Sequence, residues 1–223
     1  MTTCIIGQFI VDGGNGGVTN KVIEQNSANR FSGSKTSGST SDTISVTVDS
    51  TGGNRILIVV TSGDDEPTGI TYNGTSLTKQ NSIGSSGIYA TAWYLVNPDT
   101  GTHDLVVTAA SLPDITYSGT TFLNVNQATP TSGNSSSSGG PATSHSVGRD
   151  TTTTDMLVTS SGCGANQTGA GGSQVEFGDT GPLFGIYGAG AYQQGVGGVT
   201  TNSYTHSSQI YTIIGFELFH DAP

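Results

Sequence analysis

The sequence predicts an all-β protein: an antiparallel, jelly-roll-like β-sandwich of about ten or eleven strands with an N-terminal arm. Three observations carry that expectation. The first is composition: the 223 residues include 34 Gly, 34 Thr and 28 Ser but only 10% charged residues. Helical bundles and coiled coils need the opposite balance, rich in Ala, Leu, Glu, Lys and Arg. The second is a hydrophobic period of two wherever a period is legible. The third is punctuation, with turn residues recurring at strand-length intervals. Val, Ile, Tyr and Phe interleave with the glycines, which separates the chain from disordered sequences of similar polarity.

Taken in order, Thr43 to Val48 alternates polar and apolar, the pattern of a strand with one face on a core. Thr51-Gly52-Gly53-Asn54 is a turn. Arg55 opens Ile56 to Val60, a continuous apolar run that fits a central strand covered on both faces. Asp64-Asp65-Glu66-Pro67 closes it as a charged loop. Asn73-Gly74 between alternating segments predicts a tight hairpin, because both turn positions need positive φ. Ile88 to Val96 is a strand holding the single tryptophan, Trp93, and Asn97 to Gly101 turns it into a partner at Thr102 to Ala109. Ile115 to Val125 is a further strand. Ser132 to Pro141 is low-complexity and reads as a mobile loop. Met156 to Thr159, Ser173 to Phe177 and the strong apolar run Gln209 to Phe219 complete the set, with a glycine-rich stretch at 162–172 between them. The segment Ile70 to Thr75 is echoed at Ile115 to Thr120, which suggests either a duplicated hairpin or chance in a Thr/Gly-rich chain.

Size and charge bound the function. The chain fits one large sandwich with a small extension. Six Lys+Arg against sixteen Asp+Glu give a net charge of −10, which repels phosphate backbones and argues against nucleic acid as a partner. No apolar run is long enough to span a membrane as a helix. The N-terminal segment MTTCIIGQFIVDGG lacks a basic region ahead of its apolar stretch, so a secretory leader is not expected. Cys4 and Cys163 are too few for a disulfide framework and read as small buried hydrophobes, with a bridge between them as the alternative.

No catalytic chemistry is legible, and neither a cofactor nor a metal is expected. Asp64, Asp65 and Glu66 are adjacent carboxylates, for which a solvated loop, calcium ligation and acid–base catalysis are the readings in decreasing order of expectation. Asp12 to Gly17 resembles a single copy of a calcium-binding glycine repeat and reads as a turn. His103, His145, His206 and His220 show no metal-ligand spacing. Asn73, Asn134 and Asn166 head glycosylation-type triplets of the sort expected by chance in this composition. Tyr187, Tyr192 and Tyr204 fall in or near glycine-rich stretches and are the candidate ligand-facing residues of the sandwich rim.

Four segments in order carry a resemblance. They are Asn54-Arg55 with the run to Val60, then Ile70-Thr71-Tyr72-Asn73-Gly74 with Leu77-Thr78. Next come Trp93-Tyr94-Leu95-Val96-Asn97-Pro98 with Gly101, and then Phe122-Leu123-Asn124-Val125-Asn126-Gln127 with Pro130. Together with a closing strand, Ile213 to Phe219, this pattern resembles a β-sandwich domain of tailed-phage structural proteins and bacterial surface proteins, over about residues 31–219. Asn124 stands where the family pattern has glycine. The family is a scaffold, so the resemblance implies no catalytic residues. It implies a non-enzymatic virion protein, a capsid decoration (cement) or fibre-type protein displayed on the virion surface after assembly in the host cytoplasm. Its partners would be the major capsid or another virion protein and further copies of itself, as a homo-oligomer such as a trimer. Residues 1–30 would be an assembly arm and 31–223 the sandwich. Within the arm Cys4, Ile5, Ile6, Phe9, Ile10 and Val11 would add a strand to a neighbour. The alternative is a carbohydrate-binding module or cell-surface adhesin that holds a glycan on the rim tyrosines.

Overall fold

A computed structural model describes residues 21–111, 113–169, 173–183 and 185–221. Among them are sixteen strands: β1 Ile23–Glu24, β2 Phe31–Lys35, β3 Ser41–Val48, β4 Ile56–Gly63, β5 Gly69–Tyr72, β6 Thr75–Ser76, β7 Thr78–Ser85 and β8 Ile88–Val96. They continue with β9 Gly101–Thr108, β10 Ile115–Leu123, β11 Thr131–Thr151, β12 Met156–Cys163, β13 Thr168–Gly169, β14 Val175–Leu183, β15 Ile186–Gln194 and β16 Gly198–Leu218. A single 3-10 turn, Ser27–Asn29, is the one helical element described. All pairings are antiparallel and form three sheets. The first runs β3-β9-β5-β6. The second runs β10-β4-β8-β7, with β1 and β2 both paired to the outer side of β10. The third runs β11-β16-β12-β15-β14, with β13 on β16.

The second sheet is the middle of a stack. Successive side chains of a strand point to opposite faces, so a strand covered on both sides must be apolar throughout. The run Ile56-Leu57-Ile58-Val59-Val60 meets that condition. Ile56, Ile58 and Val60 join Phe122, Val158, Ile214 and Phe216 in the core against the third sheet. Leu57 and Val59 join Val46, Tyr72, Trp93, Leu105 and Val107 in the core against the first sheet. Every residue of β4 is buried, as the uninterrupted run predicted. The core against the third sheet grades along its length. At the Ile56 end it is large and apolar, while at the Gly63 end Thr116, Ser118, Ser160 and Gly162 replace the bulk. There the two sheets touch: a Cβ on Gly178 would overlap the Ser118 side chain, and one on Gly162 would overlap Ser62 Oγ.

A fourth layer comes from an unusual ribbon. β11 and β16 pair along 21 residues each, but their register shifts at Gly139/Ala142 and Ala142/Ser144. At that point the ribbon folds back, so that its distal half (144–151 with 198–205) lies over the outer face of β12. Val147 packs with Tyr204, Ile213, Ala189 and Ala191 in a third small core. Thr159 Oγ1 meets Tyr204 Oη at 2.9 Å, and Asn202 Nδ2 donates to Thr159 Oγ1 at 3.1 Å. This cover explains why β12 is buried on both faces despite its Thr-Ser-Ser-Gly sequence.

Several expectations are corrected. The Ser132 to Pro141 segment is strand, not a mobile loop: its backbone pairs with β16 from Ser132↔Glu217 to Gly139↔Tyr211, and backbone pairing does not require apolar side chains. The echoed segments are not two hairpins. Ile70 to Thr75 turns at Asn73-Gly74 (φ 46° and 75°), whereas Ile115 to Thr120 runs straight through the middle sheet. Residues 21–30, read as part of the arm, belong to the packed body: β1 pairs Ile23↔Leu123 and Glu24↔Phe122, and Val22 is fully buried. The strand count exceeds ten or eleven because two-residue pairings and the ribbon add segments that composition hides.

Asn124 adopts φ 61°, a left-handed conformation that Asn tolerates better than most side chains. Its Nδ2 donates to the Lys21 carbonyl at 2.8 Å and its carbonyl accepts from Asp221 N at 2.8 Å. Lys21 and Asp221 therefore meet on one residue.

Candidate functional site

The carboxylates of the 64–66 loop are each engaged. Asp64 Oδ1 accepts from Asp114 N at 2.7 Å, Asp65 Oδ1 accepts from Glu66 N at 2.8 Å, and Glu66 pairs with Lys79 Nζ at 2.8 Å. They fasten the loop between β4 and β5 and do not converge on a common point. Among the described residues no cluster of three or more His, Cys, Asp or Glu is placed to hold a metal ion. Cys163 is buried, and Cys4 lies outside the described residues, as do Ile5, Ile6, Phe9, Ile10 and Val11.

The three rim tyrosines do not form a platform. Tyr204 is 0% exposed beneath the folded-back ribbon, so it faces no ligand. Tyr192 is half-buried between the middle and third sheets, edge-on to Phe122 at 5.3 Å, and its hydroxyl donates to Glu24 Oε2 at 3.0 Å. Burial and then the Glu24 charge push its phenol up to about 12. Tyr187 is half-buried at the start of β15, where its carbonyl accepts from Gln167 Nε2 at 3.0 Å. Glycine neighbours made these tyrosines look like loop residues, but strands β15 and β16 tolerate glycine because a facing layer fills the space.

Three polar constellations went unread in the sequence. The first ties β1 to the third sheet. Glu24 receives Arg30 in a two-point ion pair at 2.7 Å on both oxygens, with Thr120 Oγ1 at 2.8 Å, while Arg30 Nη1 donates to the Glu176 carbonyl at 3.0 Å. Burial pushes the Glu24 carboxyl up, but Arg30, Thr120 and Tyr192 together hold it below the ordinary value.

The second lies at the Ile56 end, in an open cleft of about 680 Å³ lined by Asp150, Thr151, Asp155, Gly197, Glu217 and Phe219 among others. Asp155 Oδ1 accepts from His220 N and lies 2.9 Å from His220 Nδ1, and its Oδ2 accepts from Thr152 Oγ1 at 2.5 Å. Burial raises its proton affinity, but those three bonds and the His220 charge outweigh it and hold the carboxyl low. Glu217 beside it is held high, by burial first and by Asp155 second, against the opposing pull of Arg149. Carboxyl groups with opposed proton affinity are the arrangement acid–base catalysis uses. Here both oxygens of Asp155 are committed, and Asp155 and Glu217 are 2% and 5% exposed, so the pair bolts the 152–155 turn to the end of β16.

The third lies under the bend of the ribbon. His145 Nε2 is 2.6 Å from Ser161 Oγ, and His145 Nδ1 is 2.9 Å from His206 Nε2. His206 Nδ1 is 2.7 Å from the Ser207 carbonyl, and Ser161 Oγ donates to Gln167 Oε1 at 2.5 Å. His145 stacks on Tyr211 at 4.6 Å and 5° and on Tyr204 at 5.4 Å and 25°. Burial, then the facing His206, push the His145 imidazole down to about 3, so it is neutral. A serine–histidine contact of this kind is the core of a nucleophilic site, yet Ser161 is 0% exposed and His145 5%, and the group joins layers instead. Sequence spacing hides the set because its members come from β11, β12, the 164–169 segment and β16.

No protein-family model, no curated protein and no solved structure matches this chain. The phage-domain resemblance therefore rests on the quoted residues alone.

Proposed function

We propose that this protein is a non-enzymatic structural protein of a tailed-phage virion, a capsid decoration (cement) or fibre-type protein that binds and stabilises the particle surface. The observation that carries the reading is the disposition of its polar groups. The chemically able residues lie inside the stack as ties between layers, while the two outermost faces carry short hydroxyl side chains. On the first sheet these are Ser41, Thr43, Ser45, Thr102 and Thr108, and on the folded ribbon Ser144, Ser146, Thr201 and Thr205, all exposed, with the exposed Val199 beside them. Such faces bury little apolar surface of their own and suit a displayed body held by a separate segment. The apolar residues Cys4 to Val11 would supply that segment by adding a strand to a capsid protein or a neighbouring copy.

Mass spectrometry of purified particles tests the location: the protein is expected at many copies per particle, and its absence would overturn the reading. Deletion of residues 1–20 tests the arm and leaves β1 and the Glu24–Arg30 pair in place. The truncated protein is expected to keep its circular dichroism and to lose co-sedimentation with particles, and retained co-sedimentation would refute the arm. The alternative glycan reading has Tyr204 in the interior, and Tyr192 half-buried with its hydroxyl donating to Glu24.

A further inference from the structure

Among the described residues the exposed large hydrophobic side chains are Ile23, Val196 and Val199, and all of them lie at the Ile56 end. At that end an open groove of about 540 Å³ is lined by the edges of two sheets. Val22 and Ile23 come from the start of β1, on the edge of the middle sheet, and Val175 from β14, on the edge of the third. Met156, Tyr192 and Gln194 of β12 and β15 join them. The one carboxylate in the lining, Glu24, is paired with Arg30 at 2.7 Å and accepts from Tyr192 Oη at 3.0 Å. The groove therefore offers apolar surface and no unpaired charge, which suits an uncharged apolar occupant.

The chain itself supplies such an occupant. Residues 1–20 lie outside the described residues and join the body at Lys21, whose neighbours Val22 and Ile23 line the groove. Within them Cys4-Ile5-Ile6-Gly7-Gln8-Phe9-Ile10-Val11 carries no charged side chain. As an extended strand it would place Ile5, Phe9 and Val11 on one side and Cys4, Ile6 and Ile10 on the other. A strand that is apolar on both sides needs cover on both, the condition β4 meets in the middle of the stack. The edge of the first sheet at β3 fails it, because the outer face there carries exposed Ser and Thr and lies against water. The groove has a sheet edge on either side and meets it.

Distance decides whose strand enters. Residues 12–20 separate Val11 from Lys21, a span that reaches at most about 35 Å and in a glycine-rich chain averages about 17 Å. A strand tethered that closely meets its own groove at an effective concentration of about a millimolar, above that of a second copy in dilute solution. We propose that in the free chain residues 4–11 lie extended in the groove between β1 and β14 of the same molecule, covering Ile23 and adding a strand to a sheet edge. The decoration reading draws this same strand out to a particle protein, and the inference rests on that reading only in taking residues 4–11 for the adhesive strand. The groove is then where the strand is kept before assembly.

The test is amide exchange of the full chain, followed by mass spectrometry at protein concentrations from about 1 to about 100 μM. Residues 4–11 should exchange at least about tenfold more slowly than their intrinsic rates at every concentration. Exchange at the intrinsic rates would overturn the proposal, and protection that fades on dilution would overturn it by assigning the groove to the strand of a second copy. A nitroxide on Cys4 then locates the strand, since Cys163 is buried and the native protein takes the label at Cys4. Val175 and Gln194 should lose NMR intensity while Gly63 and Asp114 at the opposite pole keep theirs, and intact signals at Val175 and Gln194 would refute the placement. Ile23→Asp, at a site 46% exposed and with its fold checked by circular dichroism, should return residues 4–11 to their intrinsic rates. Phe9→Asp should do the same from the other partner, and protection that persists in either variant would defeat the groove. Co-sedimentation of the 1–20 deletion is read separately. Intrinsic exchange with lost co-sedimentation sinks the groove and leaves the arm, and slow exchange with retained co-sedimentation sinks the arm and leaves the groove.

Discussion

The middle sheet makes a demand that a two-layer sandwich does not. Leu57 and Ile58 are neighbours on β4 and point in opposite directions, and both are 0% exposed. In a two-layer protein one of them would face water, and its truncation would fall within about ±0.5 kcal/mol, the usual range at the surface. Here Leu57→Ala opens a hole among Trp93, Leu105 and Val107, and Ile58→Ala opens one among Phe122, Val158 and Phe216. Each loses buried methyl groups and leaves a cavity, at about 2–5 kcal/mol, centred near 3. For a chain of this length that is a fall in Tm of about 6–12 °C for each variant. Urea unfolding followed by the fluorescence of Trp93, the single tryptophan and only 6% exposed, measures both. The two holes lie on opposite faces of one strand, so the departure of the double variant from the sum of the singles measures coupling through the shared β4 backbone. A cost below about 1 kcal/mol for either single variant would refute the three-sheet arrangement.

Three further outcomes are expected. Gly178→Ala should cost at least about 2 kcal/mol, because its methyl overlaps Ser118, and adding Ser118→Gly should recover most of the loss; an unrescued double variant would place the strain elsewhere. Glu24→Gln should cost about 1–3 kcal/mol at neutral pH by leaving Arg30 without its charge partner. Glu24 is held below its ordinary value in the fold, so its contribution is complete above that ordinary value and fades as pH falls through the lowered one. The wild-type advantage over Glu24→Gln in thermal scans should shrink in that acid window. Asp155→Asn should lower Tm at neutral pH, because the ionised form accepts the bonds from Thr152 and His220. Glu217→Gln should leave Tm unchanged or raise it, because burial and the neighbouring Asp155 disfavour its charge; the reverse order of the two variants would contradict the opposed directions in which the fold pushes the two carboxyls.

Local chemistry explains what was legible. Ile88 to Val96 is strand β8 to the residue, because alternation and the Asn97-Pro98 turn specify both its face and its end. The run Ile56 to Val60 announced cover on both faces, and Asn73-Gly74 announced its turn. Asn124 adopts a positive φ, which few side chains other than glycine fit. The ribbon was hidden because its strands carry Ser, Thr and Gly on both faces at 131–140, and hydroxyl-rich strands satisfy their backbone without an apolar signature. The cross-layer ties were hidden for a different reason. Glu24 and Tyr192 are separated by 168 residues and His145 and His206 by 61, and no periodicity links residues that meet only when layers stack.

Asn124 also has a mechanical consequence. Lys21 and Asp221 are both held to it, so tension applied between those residues loads a single junction. Beyond it come the two pairs of β1 and the terminal pairs of β16, which such a pull would peel one at a time, at low force. Tension between Lys21 and the far end of the body, near Gly63, instead runs along the strand axes, so it loads the two β1–β10 pairs in shear before it reaches the five pairs of β2 with β10. The same body is therefore loaded by peeling when pulled between Lys21 and Asp221, which share one pole, and by shear when pulled between Lys21 and the opposite pole. If the proposed arm anchors the protein to a particle, drag on the pole near Gly63 would load it in shear.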